Sequence, residues 1–223
     1  VTLEWQNTKG LTFIRTLSVD EDFMFTVTDK VENKGTVEAR LAPYGIVARH
    51  GLPKLQGTYV VHEGLIRRTD GTFGEVKYSK FADFDLADGE TLPAEKVAAT
   101  TDGWIGFTDH YWMTTLVPEQ GKPYTAVTKY VPGSDIYQAE VRQPVMTVAP
   151  GAKAETSTRL FAGAKEWETI RNYQNKDGIA GFIDSIDWGW FYFITKPLYY
   201  LLDWLYGILG NFGLAILAVT VIV

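Results

Sequence analysis

The sequence predicts a mainly β protein, an antiparallel β-sandwich that gives way to a helical, membrane-directed tail. Three observations carry this. From residue 1 to about 163, apolar and polar residues alternate with period two. Turn-forming pairs such as Asp70-Gly71, Asp88-Gly89, Asp102-Gly103, Pro132-Gly133 and Pro150-Gly151 interrupt the alternation at short intervals. From Phe182 to Val223 there are 29 apolar residues among 42, and the only charges are Asp184, Asp187, Lys196 and Asp203.

The alternation begins at once, in Val1-Thr2-Leu3-Glu4-Trp5, with no initiator Met or signal peptide, so the chain is expected to begin inside a larger protein. Leu11–Leu17 is a second strand. Phe23, Phe25, Val27 and Val31 share one parity and define a third, half-buried on one face. Glu32-Asn33-Lys34-Gly35 then reads as a tight turn, with Val37–Val47 as the returning strand. Further strands are expected at Tyr59–Val61, Glu75–Phe81, Trp104–Phe107, Tyr111–Val117, Thr125–Val131, Ile136–Arg142, Val145–Val148 and Ala154–Phe161. Trp167, Ile170 and Tyr173 recur at helical spacing, which predicts a short helix capping the sheets.

The tail divides in two. Thr195-Lys196-Pro197 resembles a helix start, with Pro at the first position where its missing N–H costs nothing. Leu198–Leu209 follows, and Gly210-Asn211 reads as a stop. Such a helix is roughly 18 Å long, short of the ~30 Å hydrocarbon core, so it suits lying in the interface. Leu201, Leu202, Leu205 and Leu209 form the face expected to enter the acyl chains. Trp188, Trp190, Tyr199 and Trp204 have apolar bodies and polar tips and are expected at headgroup level. Phe212 to Val223 carries no charge and is expected to open a transmembrane helix. The expected organisation is therefore a sheet domain over 1–163, a short helix and linker over 164–181, an interfacial segment over 182–210, and a membrane-entering helix from 211.

Bulk chemistry narrows the function. The 27 acidic and 21 basic residues give a net charge of -6 with no basic cluster, so nucleic acid is not an expected partner. Without cysteine there are no disulfides or thiolate sites. His50, His62 and His110 show no metal-ligand spacing, and Asp83 and Asp85 lack the rest of a calcium loop. Asp109-His110-Tyr111-Trp112 could orient an imidazole, but neighbours on a strand point to opposite faces. No nucleophile, phosphate-binding or zinc motif is present. The residues alone point to no enzyme, cofactor or metal.

The segment from Asp187-Trp188-Gly189-Trp190-Phe191-Tyr192-Phe193 through Thr195-Lys196-Pro197-Leu198-Tyr199-Tyr200-Leu201-Leu202-Asp203-Trp204-Leu205-Tyr206, continuing in Gly210-Asn211-Phe212-Gly213-Leu214-Ala215-Ile216-Leu217, resembles the YidC/Oxa family of membrane protein insertases. Phe23-Met24-Phe25-Thr26-Val27-Thr28-Asp29, Asp109-His110-Tyr111-Trp112 and Leu160-Phe161-Ala162-Gly163 resemble it too. The resemblance implies a periplasmic β-supersandwich of the galactose-mutarotase-like kind, an amphipathic helix on the periplasmic leaflet, and the start of a second transmembrane helix from Asn211. It implies a location at the bacterial inner membrane. Its implied partners are the lipid bilayer, nascent membrane proteins, and the Sec translocon with its SecD/SecF accessory proteins. The polar groove and its arginine would lie beyond Val223. A membrane-anchored sugar-binding or sugar-epimerase-like domain is the alternative that this fold leaves open.

Overall fold

The computed structural model describes residues 1–52, 62–189 and 191–222. It divides into two compact units, one holding residues 1–52 and 62–185, the other 186–222.

The first unit is built from antiparallel strands. Among the described residues its large sheet has eight, in the order β1 (Thr2–Gln6), β2 (Leu11–Val19), β3 (Met24–Asn33), β14 (Lys153–Ala164), β10 (Trp112–Pro118), β9 (Gly103–Thr108), β6 (Gly64–Thr69) and β7 (Thr72–Lys77). A four-stranded sheet orders β5 (Tyr44–His50), β12 (Ile136–Arg142), β11 (Tyr124–Val131) and β8 (Ala94–Ala99). A small ribbon pairs β4 (Ala39–Leu41) with β13 (Met146–Val148). The core between the two larger sheets is aromatic-rich and includes Leu65, Tyr78, Phe81, Ile105, Phe107, Tyr124 and Tyr137. Tyr78 meets Tyr137 edge-on at 4.9 Å, a geometry in which a positive ring edge faces a negative ring face.

β9 shows why one strand belongs to two cores. All six of its residues are buried. Ile105 and Phe107 point between the sheets. Trp104 points outward, where it meets Phe182 edge-on at 5.8 Å and donates its indole N–H to the Ala180 carbonyl at 3.2 Å. This outer layer is closed by α1 (Trp167–Asn175), whose Trp167, Ile170 and Tyr173 are all buried, as their spacing predicts. Phe182 also packs edge-on against Phe161 at 5.8 Å, so the sheet unit continues to Ser185.

Two expectations about strands are corrected. Val37–Val47 is not one strand returning along β3. It splits at Pro43 into β4 and β5, which belong to different sheets, and β3 pairs instead with β2 and β14. Proline offers no N–H to a ladder. The turn before it is organised by buried Asn33, whose Nδ2 donates to the carbonyls of Val37 and Val148 at 2.9 and 2.8 Å. Likewise Glu75–Phe81 is strand only to Lys77, then turns into a 3-10 segment at Tyr78–Asp83 that drives Tyr78 and Phe81 into the core. The strand expected at Tyr59–Val61 lies outside the described residues.

Charges are stapled at the rim. Asp70, at the tip of the β6–β7 hairpin, accepts from the amides and hydroxyls of Thr100 and Thr101 at 2.7 to 3.0 Å. Glu90 and Glu140 are almost fully covered and share Lys129 at 2.8 and 3.2 Å, with Arg142 bonded to both. The Arg142 guanidinium, helped by Lys129 and Lys96, holds the Glu90 carboxyl down to about 2.

The second unit is helical. A corner at Gly189, in left-handed conformation at φ 69°, precedes α2 (Tyr192–Leu209). The helix therefore begins five residues before Pro197, which lies inside it. Proline there gives up the i→i−4 hydrogen bond and crowds the carbonyl four residues back, that of Phe193. The Thr195 hydroxyl donates to the Trp188 carbonyl at 2.8 Å and ties the corner to the first turn. Gly210, at φ 61°, ends α2 with its amide on the Tyr206 carbonyl at 2.8 Å. Asn211 then starts α3 (Phe212–Ile222), its side-chain oxygen accepting from the Leu214 amide at 3.1 Å and its carbonyl from Ala215 at 3.0 Å. Among the described residues no helix is long and apolar enough to cross a membrane.

Candidate functional site

In the helical unit, the first aromatic group is a small box. Trp188 meets Tyr199 edge-on at 5.7 Å, and the Lys196 ammonium lies 5.8 Å from the Trp188 ring centroid. The box has an apolar body and one positive charge, the combination a lipid headgroup region accommodates. Trp190 lies outside the described residues. Along α2, Tyr200, Trp204 and Ile208 recur every four residues and are all exposed, Trp204 at 61%. On α3, Phe212, Leu214, Leu217 and Val221 are exposed.

The leucine face expected to enter the acyl chains is partly covered within the helical unit. Leu205 is buried, Leu201 and Leu202 are half-buried, and only Leu209 of that set is exposed. An apolar stripe buries against the nearest apolar surface, and α2 packs against α3, which buries Ala215. Sequence periodicity marks the leucine stripe as apolar. It misses the second stripe, Tyr200–Trp204–Ile208, because α2 is apolar on most of its circumference.

In the sheet unit, a cleft of about 690 Å³ lies over β1–β3 beside β5. Leu3, Trp5, Phe13, Val31, Tyr44 and Ile46 line it, with Trp5 stacked on Phe13 at 5.3 Å. Of its charged lining residues, Arg15 and Asp29 form a bidentate pair at 2.6 and 2.9 Å. The histidines lie elsewhere. His50 is exposed on β5, opposite Ile136. His110 stacks edge-on against Tyr111 at 4.0 Å. The His62 side chain is buried, with Nε2 3.0 Å from the Leu65 carbonyl oxygen and Nδ1 4.0 Å from a Glu75 oxygen, beyond hydrogen-bond reach. Asp109, in the loop between β9 and β10, pairs with Arg49 at 3.0 Å. Among the described residues no three His, Asp or Glu side chains are grouped to hold a metal ion.

A family model described as the YidC periplasmic domain matches residues 1–201. The chain belongs to the YidC periplasmic domain family. Proteins named membrane protein insertase YidC are its relatives. That of Cereibacter sphaeroides strain ATCC 17029 is 59% identical over 230 residues, which cover 99% of this chain and 37% of the relative. That of Paracoccus denitrificans is 56% identical over 220 residues, covering 99% and 34%. That of Jannaschia sp. strain CCS1 is 52% identical over 241 residues, covering 100% and 38%. The chain thus spans a little over a third of the length of the curated YidC relatives it matches. Solved structures similar to this chain include a putative aldose 1-epimerase from Klebsiella pneumoniae, at a TM-score of 0.49 and 12% identity, covering 81% of this chain and 54% of that one. A galactose mutarotase related enzyme from Lactobacillus acidophilus matches at a TM-score of 0.46 and 10% identity, covering 72% and 66%. These two likenesses carry nothing about activity.

Proposed function

We propose that this chain is the periplasmic domain and membrane-approach segment of a membrane protein insertase and chaperone at the bacterial inner membrane. The protein assists insertion and folding of integral membrane proteins, alone or with the Sec translocon and its SecD/SecF accessory proteins. The observation that carries the reading is the 59% identity along 99% of the chain to a protein named as such an insertase. Insertion needs no covalent chemistry. It needs a polar path that lowers the several-kcal/mol cost of taking unpaired polar groups through hydrocarbon. We therefore assign the chain no catalytic role, and the sugar-epimerase alternative draws on fold likeness alone.

The tail is the part that meets lipid. Trp188, Trp190, Tyr199 and Trp204 settle at headgroup level, and Leu209 with Tyr200 and Ile208 enters the acyl boundary. Leu201, Leu202 and Leu205 join them where α2 opens from α3 on the bilayer. The segment from Asn211 turns towards the bilayer normal, since it has no polar face to keep in water. Spin labels along 197–222 of the full-length protein in bilayers test this. Depth should be shallow and periodic over α2 and increase steadily over α3. Labels at 200, 204 and 208 that stay as water-accessible as one at 203 would end the reading.

A further inference from the structure

β14 divides its side chains between two faces of the large sheet. Thr156, Thr158 and Leu160 line the cleft beside β5, and Ser157 and Arg159 point to the other face. There Arg159 stands in register between Thr26 of β3 and Val117 of β10. Directly opposed residues share a face, so the three side chains lie in one row. β10 pairs with β14 only as far as Pro118, whereas β3 and β14 run on together to Glu32 and Lys153. The notch this leaves is a pocket of about 290 Å³, walled by Glu119 and Gln120 where the chain leaves β10 and by Asp177 in the turn after α1. The walls are tied down. Gln120 Nε2 donates to the carbonyls of Gly103 and Pro118 at 3.0 and 2.9 Å, and the Glu119 carboxylate takes Lys122 at 2.8 Å.

Four polar side chains line this pocket without satisfying one another. Among the described residues the Thr26 and Ser157 hydroxyls have no hydrogen-bond partner, and neither the Arg159 guanidinium nor the Asp177 carboxylate has an ion-pair partner. Arg159 reaches only the backbone carbonyl of Asp177, at 3.4 Å. Its guanidinium is partly withdrawn from water. Burial holds its pKa below the ordinary arginine value, and the Asp177 charge nearby offsets that only in part. Opposite charges that share a pocket but not a bond match a ligand that carries both signs. Its anion would meet the five-donor guanidinium fork, and its N–H cation the carboxylate. The two hydroxyls add donors beyond those a carboxylate ligand uses, which suits the larger acceptor set of a phosphate.

We propose that this pocket binds a small phosphoamine zwitterion, with its phosphate on Arg159, Thr26 and Ser157 and its ammonium on Asp177. An ethanolamine phospholipid headgroup and a free phosphorylated amine carry the same chemistry. The test titrates soluble glycerophosphoethanolamine into the full-length protein, held in nanodiscs of phosphatidylglycerol, by calorimetry. Saturable binding is expected, with glycerophosphate and ethanolamine each at least about tenfold weaker, since each forgoes one set of charge-assisted hydrogen bonds. Arg159→Gln and Asp177→Asn should each weaken the zwitterion by about tenfold or more. Asp177→Asn should leave glycerophosphate bound no less tightly than the parent does, a selectivity that general damage to the fold would not produce. No saturable binding, glycerophosphate bound as tightly as the zwitterion, or affinity indifferent to both variants overturns the proposal. Nanodiscs that also contain phosphatidylethanolamine then assign the source. Suppressed binding of the soluble probe supports the site with a lipid headgroup as its occupant, and unchanged binding supports it with a free molecule.

Discussion

Trp104 and Trp204 are the same side chain in two regions built on opposite terms. Trp104 is fully covered, and its indole N–H reaches the Ala180 carbonyl. Trp204 is mostly exposed, in a row with Tyr200 and Ile208. The sheet unit brings its largest apolar groups inside and gives their polar tips internal partners. The helical unit buries Leu205 and Ala215 and leaves Tyr200, Trp204, Ile208 and Leu217 exposed. Composition alone does not separate the two, since both regions are rich in Trp, Tyr and Phe. What separates them is where the rings end up, and that follows from period-two strands against near-uniformly apolar helices.

The comparison is broken most directly by truncating each tryptophan. Trp104→Ala should cost the sheet unit about 3–5 kcal/mol in denaturant unfolding, because it empties a core site and orphans the Ala180 carbonyl. Trp204→Ala should change that stability by less than about 0.5 kcal/mol. Equal effects would show that the exposed ring supports the fold. Next in size, replacing Tyr200, Trp204 and Ile208 together by Ser should weaken vesicle binding by roughly 2–4 kcal/mol, as half-exposed side chains forgo part of their transfer free energy. Sedimentation with liposomes measures it, and unchanged partitioning would move the lipid contact to the leucine face.

Polar staples sharpen the comparison at smaller scale. Glu90→Gln should destabilise the sheet unit by about 2 kcal/mol, less than breaking a fully buried pair because Arg142 and Lys96 are about a third exposed. The pH dependence follows from the same carboxylate. Its folded pKa, about 2, lies below the unfolded value near 4.3, so its contribution is complete above that value and is lost as pH falls towards 2. Acid unfolding of Glu90→Gln should therefore be shallower across that window. A parent whose stability stays flat between pH 5 and about 2 would contradict this linkage.

Much of the sheet unit was legible because its strands alternate and end in Gly or Pro turns. Ile136–Arg142 is a strand with those bounds. β8 escaped because Ala94-Glu95-Lys96-Val97-Ala98-Ala99 holds one β-branched residue, and β6 because Leu65 and Ile66 are both buried, which erases alternation. Pairing order escaped for a different reason. β3 meets β14 across more than a hundred residues, and no local pattern encodes such a partner. The tail's character was plain from its nine aromatics between Trp188 and Tyr206. The division of α2 into two apolar stripes was not, since nearly its whole circumference is apolar and contact with α3 covers part of the leucine stripe.

The corner between α2 and α3 has a consequence for how the helical unit travels between media. The amides of Gly210, Leu214 and Ala215 all find acceptors within the corner itself. Their hydrogen bonds need no water molecule, so they are equally available at the dielectric constant of water and at that of hydrocarbon. A turn solvated by water would have to shed that water on transfer. This one keeps these three bonds on both sides of the boundary and strengthens them as the dielectric constant falls, so exchange of the 210, 214 and 215 amides should slow on passing from aqueous buffer to detergent.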